Sequence, residues 1–238
     1  MKEVEGYEGL VLVSDSPHIS RLVAEMRDAK IQQDGHRFRH NAYEIGRFLA
    51  YETEKREDFK RTNLEVKTTM GTAKHTLRSE DPIILNILRA ANPLVAGAEE
   101  VFRESPVAFL DAKRKEGTYH PAECRIDIEL QYASIPVASF EGRVLLIPDI
   151  MLASGSSLVE AYQFLTKKHG RPRQVAVNSV IAARPGIEQV IKKIPHCRIY
   201  AAAIDDELNE NAYIVPGLGD AGDLCYNESG KSFLDNFI

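Results

Sequence analysis

Gly217, Gly219 and Gly222 follow Pro216 closely, interleaved with Asp220 and Asp223, in a stretch near the C-terminus (YIVPGLGDAGD, 213–223). No regular helix or strand tolerates that density of Gly and Pro, because glycine costs too much entropy there and proline lacks a donor. The stretch is therefore a loop, and its glycines let a ligand press on main-chain N–H and C=O groups. A flat heterocycle with alternating donors and acceptors is the natural guest for such an edge. A loop of this composition standing alone is more often a surface turn.

A second loop upstream changes that balance. VLLIPDIMLASGSS (144–157) runs from an apolar strand through Asp149 into a small, hydroxyl-rich turn that opens a helix. Ser154, Gly155, Ser156 and Ser157 offer backbone N–H groups, hydroxyls and the positive end of a helix dipole, which a phosphate monoester satisfies together. The loop lacks the lysine of a P-loop and the Rossmann glycine triplet, and by itself it could equally be an N-capped turn. Asp149, where the strand exits, is placed for the hydroxyls of an attached sugar, or else caps the core edge. Arg89 follows the strand at 82–88, and Arg114, flanked by Lys113 and Lys115, ends the strand at 106–112. Two cationic segments meeting at one edge would complement a diphosphate; either alone is also an ordinary solvated charge. The pieces together describe phosphoribosyl diphosphate beside a nucleobase.

These residues need a scaffold, and the hydrophobic pattern predicts one. Ser16-Pro17 reads as an N-cap with proline at the first helical position, followed by a stripe of Ile19, Leu22, Val23 and Met26. A second helix carries Phe38, Ala42, Ile45 and Leu49, and 63–80 reads as a polar hairpin around Gly71. From Pro82 onward, apolar strands (82–88, 106–112, 144–147, 175–183, 197–204) alternate with helices. Those helices open at Asn92-Pro93, run over 157–169, and run over 185–193. A charged segment at 113–117 and an alternating stretch through Ile126, Ile128 and Leu130 read as a flap. Alternation of this kind predicts an α/β fold, a mostly parallel sheet with helices on both faces. Its ligands would bind at the carboxyl ends of the strands, where both loops fall.

Composition limits the function classes. The 238 residues, 44% hydrophobic and 27% charged, suit a single domain over 1–238 with a small lid. A formal charge of −5 leaves no basic excess for a nucleic-acid partner. Cys124, Cys197 and Cys225 show no metal-ligand spacing, which predicts reduced thiols in a cytoplasmic protein. Lys2, Glu3, Glu5 and Glu8 precede a short apolar run that is neither a signal peptide nor a membrane span.

The motifs resemble those of the uracil phosphoribosyltransferases. AIDDELNENAYIVPGLGDAGD (203–223) is similar to that family's base-binding tail, NILRAA (86–91) to its Ile-Leu-Arg-Ala-Gly stretch, and DIMLASGSS (149–157) to its Asp-Pro-Met-Leu-Ala-Thr-Gly-Gly-Ser loop. FRHNAYEIGRFLAYE (38–52) resembles its N-terminal helix, so the likeness runs from about residue 10 to 223. It implies a type I phosphoribosyltransferase fold, with 16–52 and 204–238 contributing a hood, and a β-hairpin flap. By the same resemblance, Arg89 and Arg114 would hold the diphosphate and Asp149 the ribose hydroxyls. The run Ile150, Met151, Leu152, Ala153, Ser154, Gly155, Ser156 and Ser157 would complete the phosphoribosyl diphosphate site. Ile214, Gly219 and Ala221 would bind uracil through their main chain, with Asp220 between base and sugar. Arg89, Asp149 and Asp220 are the implied catalytic residues, and Mg²⁺, held mainly through the diphosphate substrate, the implied cofactor.

The resemblance also implies a homodimer or higher homo-oligomer, with GTP as a candidate activator. Ala91 and Ser156 stand where the family has Gly; if either needed positive φ, the side chain would strain the backbone by about 1–2 kcal/mol. That departure motivates an alternative, a weakened paralogue that binds uracil or its nucleotide as a regulator. Past Asp223 the family's Phe-Gly ending is missing, and Phe233, Leu234 and Phe237 suggest packing against a partner subunit.

Overall fold

The computed structural model describes residues 1–7, 11–56, 59–115 and 117–226. The chain begins with β1 (Lys2–Glu3) and β2 (Val11–Val13), then α1 (Pro17–Arg27), α2 (Gly35–Arg56) and the hairpin β3 (Arg61–Thr68) and β4 (Gly71–Arg78). Next come β5 (Ile83–Leu88), α3 (Asn92–Glu99), β6 (Val107–Arg114), β7 (Ile128–Ser134), β8 (Val144–Leu152) and α4 (Ser156–His169). The described residues close with β9 (Gln174–Ala183), α5 (Arg184–Lys193), β10 (Cys197–Asp205), β11 (Glu207–Leu208), β12 (Ile214–Val215) and α6 (Ala221–Tyr226).

Among the described residues, eight strands form one sheet in the order β1-β2-β10-β9-β8-β5-β6-β7. It is parallel from β2 to β6, and only the edge strands β1 and β7 run antiparallel to their neighbours. All ten residues of β9 are buried, as a strand covered on both faces requires. One core layer takes Leu22 and Met26 of α1, Phe38, Ile45 and Leu49 of α2, and Leu94 of α3. The opposite layer takes Leu158 and Leu165 of α4 and Ile187 and Val190 of α5.

The helix stripes follow the sequence closely. Ile19, Leu22, Val23 and Met26 are the buried residues of α1, and the Ser16 hydroxyl accepts the Ile19 N–H at 3.4 Å. Helix α3 ends at Glu99, so Val101 and Phe102 belong to the turn after it, yet Phe102 is still fully buried. Close approach of α2 and α3 rests on two glycines. A Cβ on Gly46 would sit 2.3 Å from the Leu94 carbonyl oxygen, and one on Gly97 would sit 2.1 Å from that of Tyr43.

Two expectations change. The strand read as 144–147 continues through Pro148 and Asp149 to Leu152. Proline is tolerated there because β8 pairs with β5 only at Leu145 and Leu146, so the ladder on that side has already ended. The stretch through Ile128 and Leu130, read as part of a flap, is the sheet's antiparallel edge strand β7, with Ile126 buried behind it. The apolar run near the N-terminus supplies β2, paired in parallel with β10. Glu8, Phe233, Leu234 and Phe237 lie outside the described residues.

Candidate active site

Strands β5 and β8 part company after a ladder of two residue pairs: Ile83 faces Leu145, Ile84 faces Leu146, and the pairing stops there. Beyond that point β5 keeps β6 as its neighbour, and β8 keeps β9. Divergence of this kind opens a crevice at the carboxyl ends of the strands. A cleft of about 830 Å³ occupies it, a size suited to a small-molecule ligand. Its walls include Arg89 and Ala91 after β5, Lys113 and Arg114 at the end of β6, and Asp149, Met151, Ala153 and Ser157 from β8 to α4. Ile214, Gly219, Asp220 and Ala221 close the far side. Ten of the residues singled out in the sequence thus share one cavity: Arg89, Arg114, Asp149, Met151, Ala153, Ser157, Ile214, Gly219, Asp220 and Ala221.

Ile150, Leu152, Ser154, Gly155 and Ser156 do not line the cleft. Ile150 and Leu152 are buried in the core that flanks the sheet. The hydroxyls of Ser154 and Ser156 lie 3.0 Å apart in the interior, and the Ser156 hydroxyl accepts the Ile126 N–H at 2.9 Å. These hydroxyls brace the loop from beneath. Gly155 has φ +75°, and a Cβ there would meet Val190 Cγ2 at 2.8 Å. Gly186, at the start of α5, lets the loop settle closer still, since a Cβ there would lie 2.0 Å from the Ala153 carbonyl oxygen.

The strain expected at Ala91 and Ser156 is absent. Ala91 has φ −68° and ψ −16°, ordinary right-handed backbone. Ser156 is the first residue of α4 and is not among the positive-φ residues. The loop's left-handed residue is Gly155, a conformation that glycine accommodates.

Charge is uneven across the cleft. Burial pushes the Asp149 carboxyl up to about 6, against the opposing pull of the Arg114 guanidinium and the Met151 N–H, which Asp149 accepts at 3.2 Å. Arg89 is exposed, 3.8 Å from the Asp223 carboxylate and 5.8 Å from the Tyr226 ring centroid. An exposed ion pair contributes little to stability, so an incoming anion can compete with Asp223 for that guanidinium. Asp220 caps α6, accepting the Asp223 N–H at 3.0 Å through its side chain.

The base-side loop is tightly turned. The Val215–Pro216 peptide is cis, Gly217 has φ +56° and Gly219 has φ +96°. The short β11–β12 ladder pairs Leu208 with Ile214. Ala212, fully buried in the cleft wall, holds φ +60° without being glycine.

Sequence reasoning missed Asp111, Gln131 and Ala212 as members of the cleft wall, and Tyr213, the first residue of the loop it did mark, joins them there. Asp111 was findable, since it lies at the carboxyl end of a recognised strand. Gln131 was not, because it depends on the antiparallel pairing of β7. Among the described residues, no three His, Cys, Asp or Glu side chains converge as metal ligands. The carboxylates of Asp111, Asp149 and Asp220 line the cleft as separate hard oxygen donors, which fits a Mg²⁺ held largely by substrate phosphates.

This sheet order, with a cleft where β5 and β8 diverge and a small-residue loop opening α4, is the type I phosphoribosyltransferase fold. Adenine phosphoribosyltransferase from Trypanosoma brucei, in complex with AMP, pyrophosphate and ribose-5-phosphate, superimposes with a TM-score of 0.52. That match covers 92% of each chain at 10% identity, a likeness of fold alone. The AQ2163 protein of Aquifex aeolicus is more similar, with a TM-score of 0.79 and 30% identity over 93% of this chain and all of that one. Residues 13–228 match the sequence profile of the uracil phosphoribosyltransferases, and the chain belongs to that family. Curated relatives named uracil phosphoribosyltransferase include one from Thermococcus gammatolerans, 33% identical over 98% of this chain and 99% of its own. Another, from Porphyromonas gingivalis, is 37% identical over 88% of this chain and 94% of its own.

Proposed function

We propose that this protein transfers the phosphoribosyl group of 5-phosphoribosyl 1-diphosphate to N1 of uracil, giving uridine monophosphate and diphosphate. One observation carries the reading. The glycine-rich loop, the cationic ends of β5 and β6, and the start of α4 all border a single cleft large enough for one nucleotide.

In this reading the 5′-phosphate sits at the N-terminus of α4, beside Ala153 and Ser157, where the helix dipole favours a dianion. Asp149 accepts the ribose hydroxyls. Arg89 and Arg114, with Lys113 beside them, hold the diphosphate and stabilise the charge that grows on it as it leaves. Main-chain groups of Ile214, Gly219 and Ala221 read the uracil edge. Cytosine exchanges a donor for an acceptor on that edge, and each buried group left unpaired costs about 1–3 kcal/mol. Asp220 stands between base and sugar.

The N1–C1′ bond forms as the C1′–O bond to diphosphate breaks, with inversion at C1′. The electron pair leaves on the diphosphate, and the N1 proton passes to solvent. Holding both reactants in line in one cleft supplies much of the acceleration. Mg²⁺ would neutralise the diphosphate, with Asp111, Asp149 and Asp220 as the protein oxygen donors that line the same cleft.

The regulatory alternative loses its motive, since Ala91 and Ser156 are unstrained. The same reading makes the enzyme cytoplasmic and homo-oligomeric, with GTP as a candidate activator. Sedimentation and a GTP titration test the last two. The primary test is diphosphate release in the presence of Mg²⁺ and phosphoribosyl diphosphate, with and without uracil. Uracil-dependent release is expected, and its absence from folded protein overturns the proposal.

A further inference from the structure

The tip of the base-side loop is held from outside the cleft. Arg27, the last residue of α1, forks onto Asp205, the last residue of β10, with Nη1–Oδ2 at 2.8 Å and Nη2–Oδ1 at 2.7 Å. Both members then grip the backbone of Gly217. The Arg27 guanidinium donates to the Gly217 carbonyl at 3.1 Å, and the Asp205 carboxylate accepts the Gly217 N–H at 3.0 Å. Asp205 is 7% exposed and the Arg27 side chain 23%, so solvent weakens neither bond greatly. With its amide turned to satisfy its neighbours, the Gln32 side chain donates to the Met26 and Leu218 carbonyls, both at 2.9 Å. The next residue of the loop is thereby fastened to the same helix end.

Gly217 is the point where the loop reverses. Its φ is +56°, and a Cβ there would lie 2.2 Å from the Ile214 carbonyl oxygen. Fixing Gly217 therefore fixes the turn that sets Ile214 and Gly219 facing the cleft. Arg27, Asp205 and Gly217 are themselves absent from the cleft wall.

We propose that Arg27 and Asp205 are positioning residues for base recognition, a strut from α1 and β10 that sets the register of the uracil-reading peptide edge. This rests on the reading that the cleft takes uracil. A planar fork is needed because two hydrogen bonds to the carboxylate and a third to the carbonyl must leave one guanidinium, which an ammonium cannot reproduce.

The test compares wild type with Arg27→Lys, Asp205→Asn and the charge-free double variant Arg27→Met, Asp205→Asn. Steady-state constants are measured for each substrate, and hydrogen exchange is followed at the Gly217 amide. Asp205→Asn should raise the KM for uracil about tenfold or more, with the KM for phosphoribosyl diphosphate within about twofold of wild type. Cytosine should be discriminated against less strongly, Gly217 exchange should accelerate, and Arg27→Lys should fall between. The double variant guards against misfolding from a stranded charge. Loss of stability with both KM values and Gly217 protection unchanged would reduce the pair to a structural role and overturn the inference. A wild type without uracil turnover would instead remove its premise, while the exchange arm would still report whether the strut holds the loop.

Discussion

Replacing Asp149 by Asn should make the protein more stable and less active, by an amount that depends on pH. A free aspartate titrates at 3.8, whereas burial raises Asp149 to about 6. Between those values the folded protein keeps a proton that the unfolded chain has released, so stability falls as pH rises through the window. Above about pH 6 both states are ionised and the full penalty stands. At about 1.4 kcal/mol per pH unit, it amounts to about 3 kcal/mol. Below pH 3.8 both states are protonated and the penalty vanishes. Asparagine stays neutral throughout and can still accept the Met151 N–H. Asp149→Asn should therefore gain up to about 3 kcal/mol at about pH 7.5, or roughly 6–12 °C in melting temperature for a chain of this size. Urea and thermal unfolding at about pH 7.5 and about pH 4 measure the gain, and turnover at the higher pH measures the loss. Equal or lower stability of the variant at the higher pH, or a gain that does not shrink at the lower, would refute the argument.

Three other outcomes follow from the same packing. Gly186→Ala places a methyl against the Ala153 carbonyl, so it should cost about 1–3 kcal/mol and raise the KM for phosphoribosyl diphosphate more than that for uracil. Gly97→Ala collides with the Tyr43 carbonyl, outside the cleft wall, and should cost a similar ~1–3 kcal/mol while the folded fraction keeps both KM values. Arg89→Ala removes an exposed side chain, so unfolding should change by less than ~0.5 kcal/mol while kcat/KM for phosphoribosyl diphosphate falls by at least about a hundredfold.

How far the sequence could be read varies with the range of the forces involved. Local patterns sufficed for α1, whose Ser16 cap and four-residue stripe depend on neighbours a turn away. The central strands were equally plain, because burial on both faces leaves unbroken apolar runs such as 175–183. Their alternation with helices predicts a site at the carboxyl ends of the strands, and Arg89, Asp149 and Asp220 all border the cleft found there. What stayed hidden depends on partners distant in the chain. Pro148 looked like the end of a strand, since only the register against β5 shows that the ladder on that side had already stopped. Ser154 and Ser156 looked like ligand hydroxyls, yet the amide of Ile126 arrives from another segment and turns them inward. Arg27 and Asp205 are 178 residues apart, and no periodicity links them. Ala91 shows the converse: a substitution at a family glycine raised a concern that one backbone angle, φ −68°, removes.

In the proposed reaction, main-chain groups at Ile214, Gly219 and Ala221 choose the base while a neighbouring anion site holds its phosphoribosyl partner. Diphosphate release from phosphoribosyl diphosphate and Mg²⁺, measured against uracil, cytosine, hypoxanthine and orotate in turn, tests it most directly. Uracil alone should support turnover, with cytosine at least about a hundredfold slower because two mispaired groups would be buried. Comparable rates with cytosine or hypoxanthine, or none with uracil in folded protein, would contradict it.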